Sequence, residues 1–389
     1  MARMDHRLSK IPLTALVTAV LSLPTWAQDL SASPPSAAPT VWSLSATASE
    51  ESIGQGLPVL ALDRPDWPNY RAKTVNHPRA MRSLAVEAGA SSPGGWRFSS
   101  LLRAEARIAA SPDAVAAAAL DALKGQPDMG RTYAVNANSQ SWLGQGLRLG
   151  TPWLQLTERG QWQAQTDVQL LRLQRFRVDD VAGNIASLGG NAYEFNLQSQ
   201  RSNVNLTGPF LPASGGSGTG TSLSVALQGD IAEDWRLELR ANDLLSRLQW
   251  PDLATDTATL NSQVTSRNPD DSLDYAPLVR GQMARLHVSR PIGVHWQAKA
   301  RWTAFKSGGQ PGAFTLRADR KAGLHQIWRG WDNGATAAPA LRWSLEIEPA
   351  RQAAGLSLAW RGLTAALASD GKGAGSELRI LKVGWQTRF

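Results

Sequence analysis

The chain has 389 residues, a formal charge of +8, 42% hydrophobic residues and no cysteine. Without cysteine there are no disulfides, no thiolate metal ligands and no lipid anchor on a processed thiol. Beyond the N-terminus no run of about 18 apolar residues occurs, which excludes a helical membrane protein.

Arg3, Arg7 and Lys10 precede an apolar stretch over residues 11–23, followed by Pro24 and a small-residue site ending at Ala27. A basic start, a short apolar core and a small residue before the cut predict a cleaved secretory signal peptide over residues 1–27. Export removes nucleic acid as a partner for this basic chain. Its Arg and Lys also stand singly in alternating segments, not in a run.

Residues 28–95 are rich in Ser, Pro and Ala and have no sustained period, so 28–130 reads as an N-terminal periplasmic or plug segment. Within it, 84–88 and 96–108 are candidate short strands, belonging either to the main domain or to a small module. Ser111, Pro112 and Asp113 open an alanine-rich stretch that stops at Gly125, which predicts one short helix near 112–124. Its place is a luminal plug, a cover at the periplasmic mouth, or a plain connector.

From Leu147 to the C-terminus the period is two. Val294, Trp296, Ala298, Ala300, Trp302 and Ala304 alternate with His295, Gln297, Lys299, Arg301, Thr303 and Phe305. Trp235, Leu237, Leu239 and Ala241 alternate with Arg236, Glu238, Arg240 and Asn242, and Leu341, Trp343, Leu345 and Ile347 with Arg342, Ser344, Glu346 and Glu348. One face suits lipid and the other water. The predicted fold is all-β, an antiparallel up-and-down transmembrane β-barrel over residues 131–389, with an irregular N-terminal segment and one short helix. About twelve strands are expected, in a range of ten to fourteen, the upper figure applying if both early strands join.

Short turns in such barrels face the periplasm. On that rule residues 355–367 read as one ascending strand, and 279–289 with 294–305 as a hairpin turning through Pro291, Ile292 and Gly293 at the periplasmic rim.

In the last strand Leu381, Val383, Trp385, Thr387 and Phe389 share one face. This strand resembles the assembly signal of Gram-negative outer-membrane β-barrel proteins, in which a terminal aromatic follows alternating apolar residues. Thr387 departs from the aromatic or apolar residue usual there. The resemblance covers the last strand closely and the chain from Leu147 by pattern, and it indicates no particular subfamily. It implies a place in the cell outer membrane, surrounded by outer-membrane lipid, and insertion by the barrel-assembly machinery with Trp385 and Phe389 as signal.

Inward Arg236, Arg240, Arg285, Lys299, Arg301, Arg342, Arg361 and Lys382 outnumber inward acids, so an open lumen would favour anions. The alternative is that these charges pair across strands and fill a closed barrel. The expected catalytic set is empty, with one alternative. Ser289 opposite His295, with His287 on the same inward face, gives a hydroxyl beside an imidazole that loosely resembles outer-membrane phospholipases. The histidines lack metal-ligand spacing, and no cofactor is implied. Three functions follow: a channel or transporter for small polar or anionic solutes; a structural or assembly component of an envelope or secretion system, whose residues 28–130 meet a periplasmic partner; and an outer-membrane lipid hydrolase.

Overall fold

The computed structural model describes residues 41–59, 75–123, 130–157, 161–189, 192–208, 211, 214–262, 264–267, 273–275, 279–305, 312–333 and 341–389. The expected signal peptide lies outside them. In chain order the elements are β1 (Ser43–Gln55), β2 (Arg79–Ser91), β3 (Arg97–Ala110), α1 (Pro112–Leu123), β4 (Thr132–Gly150), β5 (Leu154–Gln155), β6 (Trp162–Gly189), β7 (Ala192–Asn203), β8 (Gly218–Ala232) and β9 (Trp235–Asn261). After a small hairpin of β10 (Val264–Arg267) and β11 (Leu273–Tyr275) come β12 (Val279–Arg290), β13 (His295–Phe305), β14 (Gly312–Lys321), β15 (Leu324–Asp332), β16 (Arg342–Glu348), β17 (Ala353–Trp360), β18 (Leu363–Ser369) and β19 (Leu378–Arg388).

Neighbouring strands pair antiparallel, and β1 pairs with both β2 and β19, so the sheet closes on itself. Closure satisfies the backbone groups that an open sheet leaves at its edges. The ring has fourteen strands, not about twelve. Two ring positions are composite. β7 and β8 run end to end along β6 on one side and β9 on the other. β12 and β13 likewise both run antiparallel to β9, which they cover over 248–260 and 235–242 respectively.

Three corrections follow. Residues 43–110 are not a separate periplasmic or plug segment, because β1, β2 and β3 are full members of the ring. Residues 355–367 are not one strand: the chain turns at Arg361 and Gly362, whose φ values of 46° and 81° are both left-handed, as a two-residue hairpin with the sheet's own twist requires. Pro291 to Gly293 do not close a hairpin, since β12 and β13 continue in one direction with a break between them.

Both described termini of the ring lie at one end, where Ser43 is opposite Arg388. The far end carries the β14–β15 and β16–β17 turns. The break at Pro291 lies toward that far end, away from Phe389. There β6, β9 and the composite strands rise above the rest as a tall wall. The α1 helix also sits at the far end. The Ser111 hydroxyl donates to the Ala134 carbonyl at 2.7 Å and the Asp113 carboxylate accepts the Ala134 N–H at 3.0 Å, so the helix start covers the unpaired edge of β4. Val115 packs with Leu57, Val59 and Ala80 and against Ile108. Ala80 and Ile108 are on the outward face of β2 and β3, so the helix flanks the wall and does not plug the lumen.

Candidate functional site: the barrel lumen

Directly paired residues share a face, so a row traced around the ring assigns inside and outside. Thr47, Glu87, Leu101, Gly146, Leu171, Gly220, Leu248 and Arg290 form one row. Leu101, Leu171 and Leu248 are buried, so this row points inward. The adjacent row, Val86, Leu102, Gln145, Arg172, Thr219, Gln249 and Ser289, points outward.

The outward face is apolar and exposed over much of the ring, with Leu170, Leu245, Leu316, Ile327, Leu345 and Leu367 among its residues. Near the termini end Trp235, Trp302, Phe314, Trp331 and Trp343 form a row of rings across five strands, successive centroids lying 5.9, 6.0, 5.8 and 6.4 Å apart. Trp385 is outward between Leu363 and Ala46, and Phe389 is exposed beyond the last strand, its N–H donating to the Trp42 carbonyl.

The inward face mixes charged and amide side chains with buried apolar ones, and its charged groups brace it in two ways. Along the wall, Arg148 bridges Glu87 at 3.0 Å and Asp167 at 2.8 Å, and Asp167 also accepts from Arg97 at 2.6 Å. Arg317 joins Asp319 and Glu346 at 3.0 and 2.8 Å. Other contacts cross the lumen. Arg103 on β3 donates both Nη atoms to the Asp243 carboxylate on β9, at 2.7 and 2.6 Å. The Lys321 Nζ at the end of β14 reaches Glu51 at 3.0 Å and the Ser83 hydroxyl at 2.9 Å, on β1 and β2. Arg351, in the β16–β17 turn, donates to the carbonyls of Gly54 and His325 and is held by Glu348.

Apolar clusters fill the space between these struts. Ile53 and Met81 meet Leu324 across the barrel, and Trp328 packs with Ala353, Ala368, Leu378 and Ile380. Trp142, Phe176, Leu253 and Val288 close around Trp250 and Ile292, which are 2% and 1% exposed. The strand break at Pro291 thus folds inward: its carbonyl accepts from Arg107, and the Ser246 hydroxyl bonds both N and O of Ile292. The far half of the lumen is crossed by turns and struts, while above it the tall wall leaves a concave groove of about 740 Å3 lined by Asn138, Gln200, Thr257 and Gln282.

The expected lumen residues separate on this geometry. Arg236, Arg240, Lys299, Arg301, Arg342 and Lys382 occupy inward rows. Arg301 pairs with Asp332 at 3.0 Å, and Arg236 and Arg240 flank Glu238 at 3.9 Å each. Among the described residues Lys299 and Lys382 make no ion pair, and Lys382 is exposed within the lumen. Arg285 is the exception: it pairs with Ala254 on the outward face and bonds Asp252. Arg361 lies in a turn over the Trp360 ring.

Ser289 and His295 are not brought together. Ser289 is outward and accepts from the Arg247 Nε at 2.9 Å, whereas His295 is inward beside Asp319 at 3.9 Å. His287 is on β12 as well, and β12 pairs with β9, never with β13. The cause is Val288, which is buried against Trp250 and reverses the facing inferred from alternation. The buried Arg103 and Asp243 pair was missed in the sequence, since Asp243 sits where the β9 alternation breaks, at φ 58°.

No protein-family model matches the chain, and no curated protein does. Solved structures with some likeness include the toluene transporter TbuX of Ralstonia pickettii, at 11% identity and TM-score 0.29, covering 90% of this chain and 89% of that one. The β domain of the Bordetella autotransporter BrkA has 12% identity and TM-score 0.29 over 90% of this chain and 100% of its own. The monoaromatic hydrocarbon channel CymD has 7% identity and TM-score 0.32, over 90% and 89%. At such low values the closed barrel rests on this chain's own strand pairing.

Proposed function

We propose that this chain is an outer-membrane β-barrel with a channel or transport role for small polar or anionic solutes, normally held shut at the end away from its termini. One observation carries the reading: around a closed ring the same strands put exposed apolar and Trp-rich faces outward, while the charged and amide side chains turn inward between buried apolar clusters. A water-soluble barrel would invert that arrangement, because the hydrophobic effect drives apolar surface away from water. The unpaired inward Lys299 and Lys382 support a preference for anions.

Planar-bilayer recordings test the role. Reversal potentials in a salt gradient should favour anions, and Lys299→Glu combined with Lys382→Glu should shift them toward cations. A protein that inserts yet passes no current, both as the native chain and after the far-end contacts are loosened, would overturn the channel reading.

A further inference from the structure

The outward face is not uniform. On its far half, four adjacent strands form two rows: Leu239, Ala298, Ala318 and Ile327, then Ala241, Trp296, Arg320 and His325. In the first row two alanines lie between a Leu and an Ile, so the surface dips. The result is an almost wholly apolar groove of about 510 Å3, with Trp296 and Ile327 as walls. Its end nearest the far rim is closed by Arg320 and His325, both exposed.

Arg320 is out of place on a lipid-facing surface. An outward Arg is costly at the bilayer midplane and costs little near the interface, so it needs the interface or a counter-charge. Arg82, outward on β2, has one in Glu50 at 2.8 Å. Among the described residues Arg320 has none: its lateral neighbours are Trp296 and His325, and its Asp319 neighbour points inward to Arg317 and Gln297. A groove shaped for hydrocarbon thus ends at an uncompensated guanidinium beside an imidazole.

We infer that this groove is a seat for one anionic, phosphate-bearing membrane lipid, its acyl chain over Ala298 and Ala318 and its phosphate on Arg320 and His325. The inference rests on the membrane-spanning part of the proposed function and does not depend on conduction. Guanidinium matches phosphate by paired N–H donors. The groove falls within the size range of small-molecule sites, and the match of charge and hydrocarbon selects a lipid over a free ion.

Native mass spectrometry of the full chain in detergent, with phosphatidylglycerol or phosphatidylcholine of equal chain length added in turn, tests the seat. One phosphatidylglycerol should be retained in preference to phosphatidylcholine. Arg320→Gln should weaken that retention about fivefold, the effect of one basic residue worth ~1 kcal/mol near an anionic headgroup, and Arg320→Lys should restore much of it. Ala298→Leu with Ala318→Leu fills the groove and should lower retention of both lipids there. Equal retention of the two lipids, indifference to Arg320→Gln, or displacement by millimolar inorganic phosphate alone would each overturn the seat. Insertion into phosphatidylcholine vesicles is scored separately. A barrel that inserts but shows no lipid preference loses only the seat, while one that inserts nowhere loses the membrane reading with it.

Discussion

Asp243 ties β9 to β3 and to β8 inside the barrel. It is 1% exposed, sits at φ 58°, accepts from Arg103 twice and from the Ser222 hydroxyl, and donates its own N–H to the Ser224 hydroxyl at 3.1 Å. Asn and Asp tolerate left-handed backbone better than other side chains, so the backbone conformation and the charge call for the same residue. Removing one partner of a buried ion pair costs about 3–5 kcal/mol, because the other charge is stranded. Asp243→Ala should therefore lower the urea midpoint of the folded barrel sharply. Asp243→Asn, which keeps the backbone preference and two hydrogen-bonding atoms, should cost less. Equal losses for the two would mean that the charge on Asp243 accounts for the whole effect, and that its backbone preference and remaining hydrogen bonds contribute nothing. The double variant Arg103→Met with Asp243→Asn should recover stability relative to Asp243→Ala.

Among the elements, the row of outward aromatic rings makes the clearest energetic claim. Trp302 stacks between Trp235 and Phe314, at interplanar angles of 14° and 25°. Each such pair contributes about 0.5–1.5 kcal/mol beyond its burial. Trp302→Ala should thus cost more than Trp343→Ala, which loses contact with Trp331 only, and a double-mutant cycle between Trp302 and Phe314 should return a coupling in that range. Trp302 was legible from the sequence because alternation holds without a break along β13 as far as Thr303, and the same is true along β16 and β19. Alternation failed where a strand changes phase. A Pro-Ile-Gly run reads as a turn, yet Ile292 is drawn into the core and β12 continues into β13. Arg361 and Gly362 lack the Asn-Gly or Asp-Gly pair that marks such a turn, so β17 and β18 read as one strand. Reading β17 and β18 as one strand reverses the direction inferred for every strand from there back to Pro291, so the region of Pro291 falls at the end opposite the one expected.

For the whole molecule, if the proposed channel role holds, the distribution of struts decides how the barrel conducts. Contacts along the wall leave a lumen free, whereas those made by Lys321, Arg351 and Arg103 cross it. The contacts of the β14–β15 turn are the ones that substitution can remove without touching the ring. This turn has only two residues between its strands, Ala322 and Gly323, and meets β1 and β2 through Lys321 and through Leu324 against Ile53 and Met81. A chain with Lys321→Ala and Leu324→Ala loses the Lys321 and Leu324 contacts of that turn without touching the ring's backbone pairing. Leu→Ala at a packed site costs about 2–5 kcal/mol, a loss the rest of a closed ring can absorb. The native chain should therefore conduct in brief, rare openings, and the double variant should dwell open much longer, with faster uptake of small anions into vesicles that contain it. If the variant inserts and stays as tight as the native chain, the β14–β15 turn is not the gate, and closure must rest on the struts from Arg103 and Arg351.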